Sequence, residues 1–363
     1  MFFYTVMKTP IVYLLFIVVS YLSCSPRPQS PADIHTDLSN NKILQLSELF
    51  DGIRYIPLET PDTALIANVQ AITYHNGRYY LIAENTLYVF NRHGQYLSQH
   101  NNRGRGANEY NSIFQVKSSI GDSVLYVSGD NGKGHIVMAY DRNGNYLKTL
   151  IQNRSFNMEF NVLENGIIIS DGRTVSLYDK QGKLENEIRI SPFDSISFGT
   201  SNHLSDFSSQ EVIFSCPGSD TLYFLGKSGI TRKISLDYGH NQSPEQFKKS
   251  LSNPITFPYF HNFISLGKTV LDLIVIDQKQ YMIQLDLTRR TATVCDTLVN
   301  DIDHTIPYIP REIVENQGLM VLPAPVFFHF IQPEQLAAIP ALRNLTEDAN
   351  PVIVVLNLKS SSL

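Results

Sequence analysis

Met138-Ala139-Tyr140-Asp141-Arg142-Asn143-Gly144 decides the fold, because the same phrase recurs along the chain. Tyr88-Val89-Phe90-Asn91-Arg92-His93-Gly94 precedes it and Ser176-Leu177-Tyr178-Asp179-Lys180-Gln181-Gly182 follows it. Leu222-Tyr223-Phe224-Leu225-Gly226-Lys227-Ser228-Gly229 is a looser copy. Each is an apolar strand that runs into a turn closing on glycine, from which a second strand leaves. Successive glycines lie 50, 38 and 47 residues apart. Strand-built repeats of that length are the blades of a β-propeller, which stack around an axis and do not fold as separate domains.

Working outward, the chain divides into blade-sized segments. Ile66 to Gln99 holds four short strands, with turns at His75-Asn76-Gly77 and after Phe90. Comparable segments run from Ile113 to Ile151, Phe156 to Ile190, His203 to Asp237 and Tyr259 to Leu298. Asn165-Gly166 and Asp171-Gly172 are dipeptides suited to two-residue hairpin turns. The pattern turns polar between Tyr238 and Pro258, where Pro244 to Lys249 suits a short helix. From Asp301 to Ala349 prolines break the repeat, and Pro333 to Leu345 reads as helical. The lead-in from Asp33 to Phe50 reads as weakly helical or irregular.

Two strands are left over. Ile53 to Leu58 has no blade of its own, and Val352 to Leu358 is apolar on both faces. Pairing them completes a sixth blade and leaves no open edge in the ring. The expectation is an all-β, six-bladed β-propeller closed by its N-terminal strand. Seven blades is the alternative if 301–349 holds a complete one.

The 363 residues carry a net charge of -5 with only 17% charged residues, which argues against nucleic acid as a partner. At the N-terminus, Lys8 precedes an apolar run from Ile11 to Leu22 that ends in Ser23-Cys24. Twelve residues suit a signal-peptide core and fall short of the ~20 needed to span a bilayer. The small residue before Cys24 matches a lipoprotein cleavage site, and the proline-rich stretch from Ser25 to Pro31 suits a tether. The expected organisation is therefore 1–23 signal peptide, 24–50 tether and lead-in, and 51–363 propeller, with lipidation at Cys24. Cys216 and Cys295 lie in apolar strand contexts and are expected to be buried thiols.

Tyr55-Ile56-Pro57-Leu58-Glu59-Thr60 and Arg103-Gly104-Arg105-Gly106-Ala107-Asn108-Glu109-Tyr110 resemble segments of the six-bladed β-propeller lipoproteins of Bacteroides-type bacteria. Asp348-Ala349-Asn350-Pro351-Val352 resembles the family's terminal strand entry. Ala107 and Asn108 stand where that family has Pro-Gly. The resemblance implies the fold and a place in the cell envelope; the residues after Cys24 lack the acidic run associated with surface export in such bacteria, so the expected place is the outer membrane, facing the periplasm. It implies no reaction, no cofactor and no catalytic residue.

Glu84, Asp130, Asp171 and Asp277 recur after second strands, where an acid caps turn backbone more readily than it binds metal on the axis. His203, His261 and His329 fall near expected first strands, the strands that line a propeller channel, and Tyr259 accompanies His261. These four are the candidate ligand contacts, and no metal site is assigned. Arg103 to Tyr110 reads as a connector whose Glu109 and Tyr110 tie down the turn. Asp-Ser/Thr-apolar tripeptides such as Asp62-Thr63-Ala64 are similar to an O-glycosylation signal. No Gly-x-Ser-x-Gly, phosphate loop or His-Glu-x-x-His occurs. The expected function is a binding or scaffolding module for an envelope protein, peptide or glycan, held to the membrane by lipid alone. The alternative is a channel-centred hydrolase, lactonase or lyase. Convergence of three titratable side chains on the axis favours the alternative, and a plugged channel favours the binder.

Overall fold

The structure, a computed structural model, describes residues 32–39, 41–106, 108–119, 121–154, 158–190, 204–216, 219–239, 261–276 and 279–359. Six sheets of four or five strands follow one another along the chain. Their first strands are Val69–His75, Ser112–Ser118, Glu159–Leu163, Leu204–Asp206, His261–Leu266 and Glu312–Val314. Each of these strands touches the next, and the sixth returns to the first. The ring is therefore a closed six-bladed propeller with first strands innermost.

The core is divided among the interfaces between blades. Six buried apolar clusters occur, one at each junction; Tyr80 and Ile82 of blade 1, for example, pack with Leu125 and Val127 of blade 2. Middle strands buried on both faces, such as Ile136 to Tyr140, supply both neighbours at once. Each fully buried large side chain contributes about 1.5–3 kcal/mol, so no blade is stable without its neighbours.

The recurring phrase has a specific geometry. Asn91, Asp141 and Asp179 each accept two backbone N–H bonds on Oδ1, from residues two and four further on, at 2.8–3.0 Å. The glycine follows at φ +80° to +87°, in the left-handed region open to it. It also lies against the previous blade: a Cβ at Gly94 would stand 2.4 Å from the Pro57 carbonyl oxygen, and one at Gly182 would stand 2.1 Å from that of Leu150. The phrase thus encodes both the turn and the spacing of blades. Blade 5 makes the corresponding turn with Asp286 as the acceptor and Arg290 at φ +56°, so its copy has no glycine.

Closure follows the expected pairing. Phe50–Pro57 lies antiparallel to Val352–Leu358, with Tyr55 opposite Val354 and Ile56 opposite Ile353. Val352 to Leu356 are fully buried. Two side-chain clusters fasten the junction. Tyr55 donates its hydroxyl to Asp303 at 2.7 Å and lies 3.1 Å from the Tyr308 hydroxyl. Asn350 accepts from the Ile66 N–H and donates to the Glu59 and Ala64 carbonyls, all at 2.7 Å.

Three local expectations change. The segment 24–50 is not irregular throughout, because Ile34–His35 and Asn41–Gln45 add as parallel fifth strands to blades 4 and 5. Their outer edges supply unpaired backbone groups, and Ile34 and Leu44 are fully buried there. The insertion in blade 6 contains two short helices, α1 (Ala324–Phe330) and α2 (Pro333–Ala338), and the helical run from Pro333 ends at Ala338, well before Leu345. Phe327, Leu336 and Leu342 of the insertion join the blade 5–6 core, so 301–349 supplies the first two strands of blade 6 and the insertion after them, and not a seventh blade. The helix expected at 244–249 lies outside the described residues.

Strand direction sorts the loops onto two faces. One face carries the turns after first and third strands, including the recurring phrase. The other carries the turns after second strands, the connections between blades and the blade 6 insertion. They are called here the turn face and the loop face.

Candidate axial site

Lys117, Asp206 and Glu312 come from the innermost strands of blades 2, 4 and 6, so every second blade sends one charge to the axis. Lys117 Nζ donates to Asp206 Oδ2 at 2.9 Å and to Glu312 Oε1. The three are separated by 89 and 195 residues from Lys117 along the chain and are joined only by the closed ring.

They divide the axial channel in two. On the loop-face side lies a cavity of about 430 Å³, walled by Phe160, Phe263, Leu273 and Met320 and reached past Gln70 and Arg311. On the turn-face side lies a cavity of about 180 Å³ lined by hydroxyls, among them Thr73, Ser118 and Ser265. The side chains of Lys117 and Glu312 retain 12% and 15% of their accessible surface, and Asp206 retains 32%. That residual surface faces these enclosed spaces, so protein surrounds all three charges.

Burial and mutual attraction set their protonation. Burial pushes the Glu312 carboxyl up to about 8, against the pull of Lys117, with Asp206 adding to the rise. Burial also acts to raise Asp206, but the charge of Lys117 and the hydrogen bond from it, with the polar groups of Glu312 and Asn161 nearby, hold it below the usual carboxylate range. Burial opposes the charge on Lys117, yet the two carboxylates outweigh it and raise the ammonium above the usual lysine range. At neutral pH the trio is thus an ammonium, a carboxylate and a protonated carboxyl, with no net charge. Nucleophilic or basic lysines need the opposite shift.

Two of the four candidate ligand contacts lie on described backbone. His203 and Tyr259 lie outside the described residues. His261 begins the innermost strand of blade 5 as expected. His329 sits exposed on α1, with its ring edge-on to Phe330 at 4.5 Å, and not on a first strand. The insertion between second and third strands of blade 6 shifted the repeat, which is why its position misled. Among the described residues, no cluster of three or more His, Cys, Asp or Glu is arranged to hold a metal. Asp130 and Asp171 cap their own turns, accepting from Gly132, Arg173 and Thr174 N–H groups, while Asp277 lies outside the described residues. Glu109 accepts from the Gly106 N–H at 2.5 Å, and the buried Tyr110 hydroxyl bonds the Asn85 carbonyl at 2.9 Å, so both tie down their connector. Cys216 and Cys295 are buried with no disulfide between them. Cys24 lies outside the described residues, and no helix among the described residues is long and apolar enough to cross a membrane.

The axial trio was missed because each member looks ordinary in its own strand. No local pattern marks them: Glu159 of blade 3 also stands on an innermost strand, so a charge there does not by itself point to the axis.

Comparison with known proteins agrees with this architecture. A Bacteroides fragilis protein described as exported matches with a TM-score of 0.63 at 16% identity, over 90% of this chain and 98% of its own. Virginiamycin B lyase from Staphylococcus aureus matches at 11% identity with a TM-score of 0.42, over 70% and 76% of the two chains. A Bacteroides caccae protein of unknown function matches at 10% with a TM-score of 0.39, over 68% and 97%. No curated protein matches the sequence. The model of the family described as Domain of unknown function (DUF4934) matches residues 31–357, and the chain belongs to that family.

Proposed function

We propose that the protein is a binding module of the cell envelope, which holds a protein segment, peptide or glycan at the loop-face end of its axis. The observation that carries this reading is the 430 Å³ cavity, whose walls mix polar and apolar side chains above a charged floor. Its size and its few convergent polar groups are those of a ligand pocket. The described connections between blades and the blade 6 insertion lie on the same face, where they are free to extend the contact. The signal-like run and Cys24 support a lipid tether, which would keep this module at a membrane surface.

A channel-centred enzyme is the second reading, and one observation favours it. Three titratable side chains do converge on the axis, and Glu312 has the raised affinity for a proton that suits a general acid. Against it, the trio also plugs the channel. Lys117 is engaged by both acids, and Asp206 is held in its ionised form.

Thermal-shift titration of the purified protein with short peptides and oligosaccharides tests the binding reading, in parallel with Gln70→Trp, which narrows the cavity mouth. A shift present in the parent and lost in Q70W supports it. A ligand that shifts both proteins alike puts the site elsewhere. Turnover of a lactone or ester probe that disappears in Glu312→Gln would replace the binder with the enzyme.

A further inference from the structure

The loop-face cavity brings an acid, a guanidinium and several apolar side chains to one space. At its floor Asp206 is the most accessible member of the trio, with about a third of its side-chain surface exposed, and it lines this cavity as well as the one on the turn-face side. Toward its mouth stands Arg311, exposed; its backbone N–H bonds the Leu319 carbonyl, while its guanidinium has no hydrogen-bonding or ionic partner among the described residues. Arg311 immediately precedes Glu312 and so lies one residue nearer the loop face than the trio. Phe160, Phe263, Leu273 and Met320 line the same cavity.

We propose that this cavity takes a short apolar peptide with both termini free, its ammonium on Asp206 and its carboxylate on Arg311. This rests on the reading of the cavity as the binding site and narrows its ligand class. Lys117 is already committed to two acids, so the floor offers a ligand an acceptor, not a donor. The mouth offers a planar guanidinium, suited to bidentate recognition of a carboxylate. A fatty acid would leave Asp206 facing apolar chain, and an alkylamine would leave Arg311 unmatched. An extended chain spans about 3.3–3.6 Å per residue, so a di- or tripeptide places its two charges about 7–10 Å apart with side chains between.

Calorimetric titration of the purified protein tests this with four probes: leucyl-leucine, its N-acetylated and C-amidated form, octanoate and octylamine. Leucyl-leucine is expected to bind at least tenfold more tightly than the other three. Arg311→Gln, on an exposed side chain that the fold does not need, is expected to weaken it at least tenfold. Asp206→Asn should do the same, and Q70W should abolish binding. If the blocked dipeptide, octanoate or octylamine binds as well and Q70W removes it, the cavity is a binding site and the dipolar class is wrong. Equal binding to the parent and to R311Q overturns the assignment of the carboxylate end. If no probe binds but Q70W removes another ligand of the panel, the class falls and the site stands. If Q70W affects no ligand, both fall.

Discussion

The outer turns and the axis of this propeller are built on opposite principles. At the turns, Asn91, Asp141 and Asp179 repeat the same two hydrogen bonds, and the glycine three residues on lets the previous blade approach. Everything needed is local, and it recurs. On the axis, Lys117, Asp206 and Glu312 occur once each and meet only after six blades have closed. Local chemistry therefore shapes the blades, while closure assembles the site. Perturbing the two regions should separate them.

The largest effect is expected where closure itself is broken. Val354 is fully buried in the last strand of the chain, opposite Tyr55 of the closing strand. Val354→Asp would bury an unpaired carboxylate in the seam, for which a cost above about 4 kcal/mol is expected. Loss of the cooperative melting transition by circular dichroism is the expected result. A folded V354D with a near-normal transition would show that the seam does not hold the ring.

Next come the axial charges. Lys117→Met leaves two enclosed carboxyls without their cation, and removal of one partner of a buried ion pair typically costs about 3–5 kcal/mol. Glu312→Gln should be near neutral at pH 7, because the protonated acid and the amide are alike in shape and both donate a hydrogen bond. Urea denaturation of both variants checks this. Equal destabilisation would mean that Glu312 is ionised in the folded protein.

Glycine substitutions probe the turns with smaller effects. Gly182→Ala combines a left-handed backbone with a Cβ driven into the Leu150 carbonyl of the neighbouring blade. A loss of about 1–3 kcal/mol is expected, from strain added to the displaced contact. Gly77→Ala has a similar φ of +79° but nothing within 4 Å of the added carbon, so only about 1 kcal/mol should be lost. If the two melt alike, glycine serves the turn alone and not the approach of blades.

These contrasts show why most of the fold was legible in sequence and the site was not. A turn's acceptor and glycine lie within four residues, so Asp141 and Gly144 announce themselves. The closing strand could be inferred because Val352 to Leu358 is apolar on both faces and needs a partner. Ile34 and Leu44 were overlooked because two- and five-residue strands on an outer edge leave almost no alternation to read. His329 was misplaced because the insertion displaced the count of strands by two helices. Lys117, Asp206 and Glu312 have no sequence signature because their chemistry is a relation among three blades.

A quieter contrast concerns protons. Glu312 titrates at about 8 in the folded protein against an ordinary 4.5 in the unfolded chain. The folded state binds the extra proton between those values, so this stabilisation is complete below 4.5, declines as pH rises and is gone above 8. His135, buried on the third strand of blade 2 with Nε2 unpartnered, has the opposite linkage: burial lowers it from 6.5 to about 4. There the unfolded chain takes the proton first, so stability is lost as pH falls from 6.5 toward 4. Between about 4.5 and 6.5 the two slopes oppose each other and largely cancel. Single variants should uncover each. In His135→Leu, stability is expected to fall with rising pH from 4.5 all the way to 8. In E312Q it should rise to about pH 6.5 and then stay level. Other carboxylates add the same acid slope to all three proteins, so differences between melting curves from pH 4.5 to 9 isolate the two groups. An E312Q curve parallel to the parent above pH 6.5 would mean that the axial acid is already ionised. Above pH 6.5 the axis would then be as indifferent to pH as the turns.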